Sequence, residues 1–233
     1  MKRNLDLHVH SQASPDGRMT LEKILETAKT KGLSAVAICD HDAVLSELPQ
    51  DPDVLVIPGT EVSTGRGHLL GLFVTEPVQE RDFAAAAAAI RAQGGLAVLA
   101  HPFQKPGADP EDLFPHVDGM ETQNSRANRK NRNANRLAAA FAYRYGLLPF
   151  GGSDAHVPQE IGASVTVIDT EELTLEAVRT ALTSGAAHVE GADSPARYTA
   201  ASQWTKLRKT HAGIGAYGKW FLFAVRCLLQ DLF

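Results

Sequence analysis

The chain predicts an α/β fold of parallel strand–helix units closed into a barrel, and three observations lead there. Short apolar runs alternate with segments of helical period along the chain. Seven or eight strand candidates fall within residues 1–193, a density that favours a closed barrel over an open sheet. A doubly wound nucleotide-binding sheet would want a glycine-rich turn after a strand, and Gly65 and Gly67 do not supply one.

The elements follow in order. Leu5, Leu7 and Val9 alternate with Asp6, His8 and His10, the period-2 pattern of a strand. Thr20 can cap a helix with Leu21, Ile24, Leu25 and Ala28 on one face, and Gly32 ends it. SAVAICD (34–40), VLVIP (54–58) and GHLLGLFV (67–74) read as strands. The alanine-rich segment 80–93 carries Phe83, Ala87 and Ile90 on one stripe, a helix stopped by Gly94-Gly95. LAVLA (96–100) and VDGMET (117–122) are strands, and 128–145 is a helix stopped by Gly146. Residues 148–151, 164–168 and 187–190 are short strands, and Thr174 caps a helix carrying Leu175, Val178 and Leu182.

Composition excludes several classes. A hydrophobic fraction of 44% and a charged fraction of 21% rule out a disordered or fibrous chain. With 27 acids against 23 bases the net charge is −4, so no global pull toward nucleic acid exists and no stable nucleic-acid partner is expected. Only Cys39 and Cys227 are present, without metal-site spacing. No run approaches the roughly 18 apolar residues of a membrane span. A soluble, reducing, cytoplasmic setting is the expectation.

The informative residues are the nine histidines and the acids among them. His8 and His10 close the first strand and His41 the second; Glu61 follows the third, and His101 follows LAVLA. Asn124 follows VDGMET, and Asp154 with His156 follows LPFGG. In a βα barrel those carboxyl ends meet at one rim, where active sites are built. Side chains at i and i+2 of a strand share a face, so His8 and His10 can hold one ion together, and Asp154 and His156 have the same spacing. Imidazole and carboxylate donors without cysteine suit zinc, manganese or iron in an open site. So many donors exceed one ion and point to two or three, the arrangement that activates water and clamps phosphoryl oxygens.

DLHVHS (6–11), SPDG (14–17), DHD (40–42), GTE (59–61), AHP (100–102) and GSDAH (152–156) resemble the ordered motifs of the polymerase and histidinol phosphatase (PHP) family. The resemblance runs from about residue 4 to residue 190. It implies a distorted (β/α)7 barrel with its metal site at the carboxyl ends of the strands. It implies that His8, His10, Glu61 and Asp154 hold one ion, that Glu61 bridges to a second held by His68 and His101, and that Asp16, His41 and His156 hold a third. His8, His10, Glu61, Asp154 and His156 are then the catalytic set. Many relatives have His where Asp16 stands, and a carboxylate there favours manganese or iron over zinc. His68 opens a strand rather than ending one, so a satisfied strand histidine is its other reading. Asp40 and Asp42 flank His41 and are expected to support it rather than to bind metal.

The implied activity is a metal-dependent phosphoesterase that hydrolyses a small phosphate monoester or nucleotide through attack of a metal-bound hydroxide. A 5′–3′ exonuclease on short oligonucleotides is the alternative. An amidohydrolase-type barrel would want a strand-end lysine, and a non-catalytic metal-binding interaction module should have lost ligands; neither pattern is present. Arg126, Arg129, Lys130, Arg132 and Arg136 follow the sixth strand as a solvated helix face or a phosphate-binding group. Arg126 is nearest the rim, and Lys105 after AHP is a second candidate for substrate. His116 and His188 lack motif context.

Residues 194–233 form a basic amphipathic extension to a barrel spanning 1–193. From Pro195 on, six basic residues stand against Asp231 alone, a net +5, leaving −9 on the rest. Trp220, Phe221, Ala224, Leu228, Leu229 and Leu232 form one helical stripe. That stripe is expected to dock on the barrel or to support self-association with a second copy, with an anionic membrane surface as the alternative.

Overall fold

The computed structural model describes residues 1–232. In chain order it comprises β1 (Lys2–Val9), α1 (Leu21–Thr30), β2 (Ala35–Ile38), β3 (Leu55–Thr64), β4 (Gly67–Leu72), α2 (Phe83–Ala92), β5 (Leu96–Leu99), β6 (Gly119–Asn124) and α3 (Ala134–Tyr145). Then come β7 (Leu148–Gly152), β8 (Ser164–Asp169), α4 (Leu175–Thr183), β9 (His188–Gly191), α5 (Ala196–Lys209) and α6 (Ile214–Gln230). The sheet order is β7-β6-β5-β4-β3-β2-β1-β8-β9. It curls until β7 meets β1: His10 N donates to Ala155 O (2.9 Å) and Ala155 N to His8 O (3.3 Å). The result is a nearly closed barrel.

Parallel pairing holds for β1–β2–β3 and β5–β6–β7. It is broken at β4, which runs antiparallel to both neighbours. Only Gly65 and Arg66 separate β3 from β4, and a two-residue loop can join only antiparallel strands. β8 also runs antiparallel, to β1. β3 continues past the expected VLVIP segment to Thr64, so Glu61 lies inside a strand rather than after one. The pairing of β1 with β2 shifts register between Asp6 and Val9, beside His8.

Local chemistry explains the helices. The Thr20 hydroxyl caps α1 by accepting from Lys23 N (3.2 Å), and Ile24, Leu25 and Ala28 turn toward the sheet. Asp82 caps α2, whose Phe83, Ala87 and Ile90 cover Leu69 and Leu99. α3 stops at Gly146, in the left-handed region at φ 65°. A further cluster built on Leu5, Leu7, Ile57, Leu70, Val98 and Phe150 forms the main core of the sheet. Each of its large members contributes about 1.5–3 kcal/mol by leaving water.

α5 and α6 pack on each other. Trp220 Nε1 donates to Ala200 O (2.8 Å), the rings of Trp204 and Trp220 lie 4.6 Å apart, and Cys227 is buried with Ala196 and Ala200. The expected docking of one whole stripe is corrected here. Trp220 and Ala224 pack against α5, whereas Phe221, Leu228, Leu229 and Leu232 are at least half exposed. Cys39 and Cys227 are both free and buried. Among the described residues no helix is long and apolar enough to cross a membrane.

Candidate metal centre

Glu61 is the hub of the site. Its Oε2 lies 3.5 Å from His8 Nε2, 3.4 Å from His10 Nε2 and 2.9 Å from His41 Nδ1. Its Oε1 lies 2.6 Å from His68 Nδ1 and 2.9 Å from His101 Nε2. Five imidazoles therefore surround one carboxylate that is 1% exposed. On the same side, Asp154 Oδ1 is 3.4 Å from His10 Nε2 and 3.8 Å from His8 Nε2. Asp16 Oδ1 lies 3.3 Å from His156 Nε2 and 3.6 Å from His41 Nε2. Three overlapping donor groups have the spacing to hold an ion: His8, His10 and Glu61; His10, His41 and His156; and His41, Glu61 and His68.

Each element delivers its donor for a local reason. The Nε2 atoms of His8 and His10 come within 3.0 Å of one another at the end of β1. Asp154 and His156 meet by a different route from the expected strand pair. They lie beyond β7, with Asp154 in the left-handed region (φ 55°) that short polar side chains tolerate. His101 also takes a positive φ, 29°. Gly152 is required here, because a Cβ at that position would lie 2.4 Å from His8 Cβ.

Supporting contacts orient the rings. Glu121, which sequence reading passed over inside VDGMET, is buried and accepts from His8 Nδ1 (2.9 Å), His101 N (2.8 Å) and Asn124 Nδ2 (2.9 Å). Asp40 accepts from Ser11 N (2.8 Å), Ser11 Oγ (2.6 Å) and Ser14 Oγ (2.6 Å), and Ser14 Oγ in turn accepts from His10 Nδ1 (3.1 Å). His156 Nδ1 donates to Asp154 O (2.8 Å). With their Nδ1 protons engaged, His8, His10 and His156 turn Nε2 toward the centre, the atom each would offer a metal once it is free of its proton. Asp42 turns away, accepting from Ser63 N (2.8 Å) and pairing with Arg81.

Burial opposes charge on the acids, but the surrounding imidazoles overcome it. The charge of His8 and contacts with His101, His41 and His68 hold Glu61 well below the usual carboxylate range. His8 and His10 do the same for Asp154, and His156 for Asp16. Burial and the charge of His156 push His10 well below its ordinary value, toward the neutral ligand form. Burial also pulls at His41, yet contact with Glu61 pushes it up to about 9.

The residues fit a divalent metal on a direct observation. Glu61 Oε2 and Asp16 Oδ1 are buried oxygens with no aligned hydrogen-bond donor. An ionised oxygen so placed demands a cation. Mixed nitrogen and oxygen donors without thiolate suit zinc, manganese or iron.

A cavity of about 430 Å³ opens over this floor, bounded by Arg129, Lys130 and, from α5, Thr199, Gln203 and Lys206. Arg126 reaches the same cavity, but its guanidinium is buried and committed: Nε and Nη2 donate to Glu160 (2.7 and 2.6 Å) and Nη1 to Ser202 Oγ (3.2 Å). Lys105 lies on a neighbouring cavity of about 260 Å³ that shares His68, His101 and Gln104 with the first. His188 pairs with Glu190 at the surface, remote from the site.

A PHP domain model matches residues 6–100 and a PHP-associated model residues 132–187. An uncharacterized protein of Methanocaldococcus jannaschii is 32% identical over 182 residues, covering 74% of this chain and 72% of that one. The chain belongs to the PHP family of metal-dependent phosphoesterases. A 5′-3′ exoribonuclease of Haemophilus influenzae is 36% identical over 81 residues, 31% of this chain and 29% of that one. Among solved structures, a two-domain protein from Bacteroides vulgatus containing a PHP-like phosphoesterase superposes with a TM-score of 0.67. It is 19% identical and covers 88% of this chain and 70% of that one, which establishes the shared PHP fold.

Proposed function

We propose that this PHP protein hydrolyses a phosphate monoester of a small molecule or nucleotide, using two or three divalent ions. The observation that carries the reading is the buried Glu61 carboxylate set among five imidazoles, with an oxygen no hydrogen bond satisfies. His8, His10, Glu61 and Asp154 would hold one ion, Glu61, His68 and His101 a second, and Asp16, His41 and His156 a third. Bound there, such ions supply Lewis acidity that neutralises phosphoryl oxygens and acidifies water.

The chain's own groups argue for water as the nucleophile. Ser11 and Ser14 donate their hydroxyls to Asp40, and Ser153 donates to Asp6 (2.6 Å). The Cys39 thiol is buried beneath the site, and burial pushes it far above its ordinary value. None of these is poised for covalent attack. Glu121, Asp40 and the Asp154 carbonyl keep the ligand imidazoles in one tautomer, so the floor needs little reorganisation when substrate arrives. Partial likeness to the exoribonuclease supports a second reading, removal of a nucleotide from an oligonucleotide end.

The test is phosphate or nucleotide release from a panel of monoesters, nucleotides and short oligonucleotides with added manganese, zinc or iron. Run in labelled water, a single turnover should place one label in the product. A trapped phosphoenzyme, or no release from any member, would overturn the reading.

A further inference from the structure

α5 lies beyond both matched family segments, the later of which ends at residue 187. Its polar residues nevertheless follow one helical face: Thr199, Ser202, Gln203, Lys206 and Lys209 recur at i, i+3, i+4, i+7 and i+10. That face turns toward the metal centre. Ser202 Oγ meets Arg126 (3.2 Å), while Thr199, Gln203 and Lys206 bound the cavity. Lys209 Nζ donates to the carbonyls of Gln12 (2.6 Å), Ser14 (2.8 Å) and Gly17 (2.7 Å), satisfying all three of its protons on the loop that carries Asp16. The helix is thereby pinned over the site, and Lys206 sits one turn before the pin.

The charges around the cavity are sorted by burial. Asp16, Glu61 and Asp154 are buried among the histidines, while Arg129 is half-buried and Lys130 and Lys206 are exposed along the same cavity. Among the described residues none of these three cations has a carboxylate within 4 Å, in contrast to Arg126, which Glu160 neutralises. Arg129 is only partly exposed, with its guanidinium held 5.4 Å from the centre of the Phe223 ring on α6. Holding a guanidinium away from water without an acid is unfavourable unless an anion arrives. Ions on the floor would occupy its own acids and leave the three cations facing the cavity alone.

We propose that Arg129 and Lys130, after β6, together with Gln203 and Lys206 of α5 form a second anion subsite that holds a phosphate of the substrate other than the one being hydrolysed. The substrate class is then a phosphate ester carrying a second phosphoryl group. This rests on the phosphoesterase reading for the first phosphate, while the subsite itself is defined by binding alone.

The test uses full-length zinc-loaded protein and probes that cannot be hydrolysed: propylphosphonate against ethane-, propane- and butane-diphosphonate, with affinities measured by calorimetry. At least one diphosphonate should bind ten- to a hundredfold more tightly than the monophosphonate, the scale of one or two charge-assisted contacts. Arg129→Gln or Lys206→Gln should erase that advantage and leave monophosphonate binding within twofold. Lys206→Arg should restore it, and Lys219→Gln on α6 should change nothing. Equal affinity for both probe types, or equal losses on both, overturns the subsite. A protein that discriminates the probes yet releases no phosphate from any ester keeps the subsite and refutes the phosphoesterase reading instead.

Discussion

Replacing Glu121 by glutamine should weaken metal binding without unfolding the chain. Glu121 Oε1 accepts from His8 Nδ1, and Oε2 accepts from both His101 N and Asn124 Nδ2. Only a group with two acceptor oxygens meets all three donors. A glutamine that aims its NH2 at His8 forces Nδ1 to accept, which puts the proton on Nε2 and removes the lone pair facing Glu61 and Asp154. A glutamine flipped the other way opposes its NH2 to the His101 amide. Losing such a support costs 10–100-fold in metal affinity, about 1.4–2.8 kcal/mol. Glu121→Ala should do worse, since it leaves buried donors unpaired at about 1–3 kcal/mol each. Zinc affinity by competition with a chromophoric chelator reads the effect, and melting in excess chelator checks the fold. A Glu121→Gln protein with native melting and unchanged zinc affinity would refute the claim that this carboxylate sets the His8 tautomer.

Purified protein should carry two to three transition-metal ions, and His8→Ala or Asp154→Ala should lower occupancy and activity by orders of magnitude; active protein with less than one ion by elemental analysis would exclude the multinuclear centre. Metal affinity should rise with pH up to about 9, because the His41 imidazole, held protonated by Glu61 in the metal-free chain, must release its proton before it can bind; an affinity flat between pH 6 and 9 would contradict this. Lys209→Met should loosen the loop bearing Asp16 and lower occupancy at that ligand, with partial recovery in Lys209→Arg; full metal content in the methionine variant would show that the three carbonyl contacts do not position Asp16.

By itself the sequence determined the strand–helix alternation, the barrel and the order of the candidate metal-binding side chains. Those properties are local: an apolar period, a capping threonine, a His-x-His at a strand end each declare themselves within a few residues. It also carried the reason why β4 turns back, the two-residue Gly65-Arg66 loop, although the parallel expectation overrode that signal. Tertiary structure decided what depends on convergence of distant segments. Glu121 looks like any strand acid until β6 brings it to His8, 113 residues away. Arg126 looks like a phosphate ligand until the turn after β7 presents Glu160 and consumes its charge. Lys206 and Lys209 look like a solvated basic face until α5 is laid across the site, with Lys209 reaching the Gln12 carbonyl 197 residues earlier in the chain. A side chain's type fixes what chemistry it can perform, but charge compensation and burial depend on neighbours, and those neighbours are chosen only when the barrel closes.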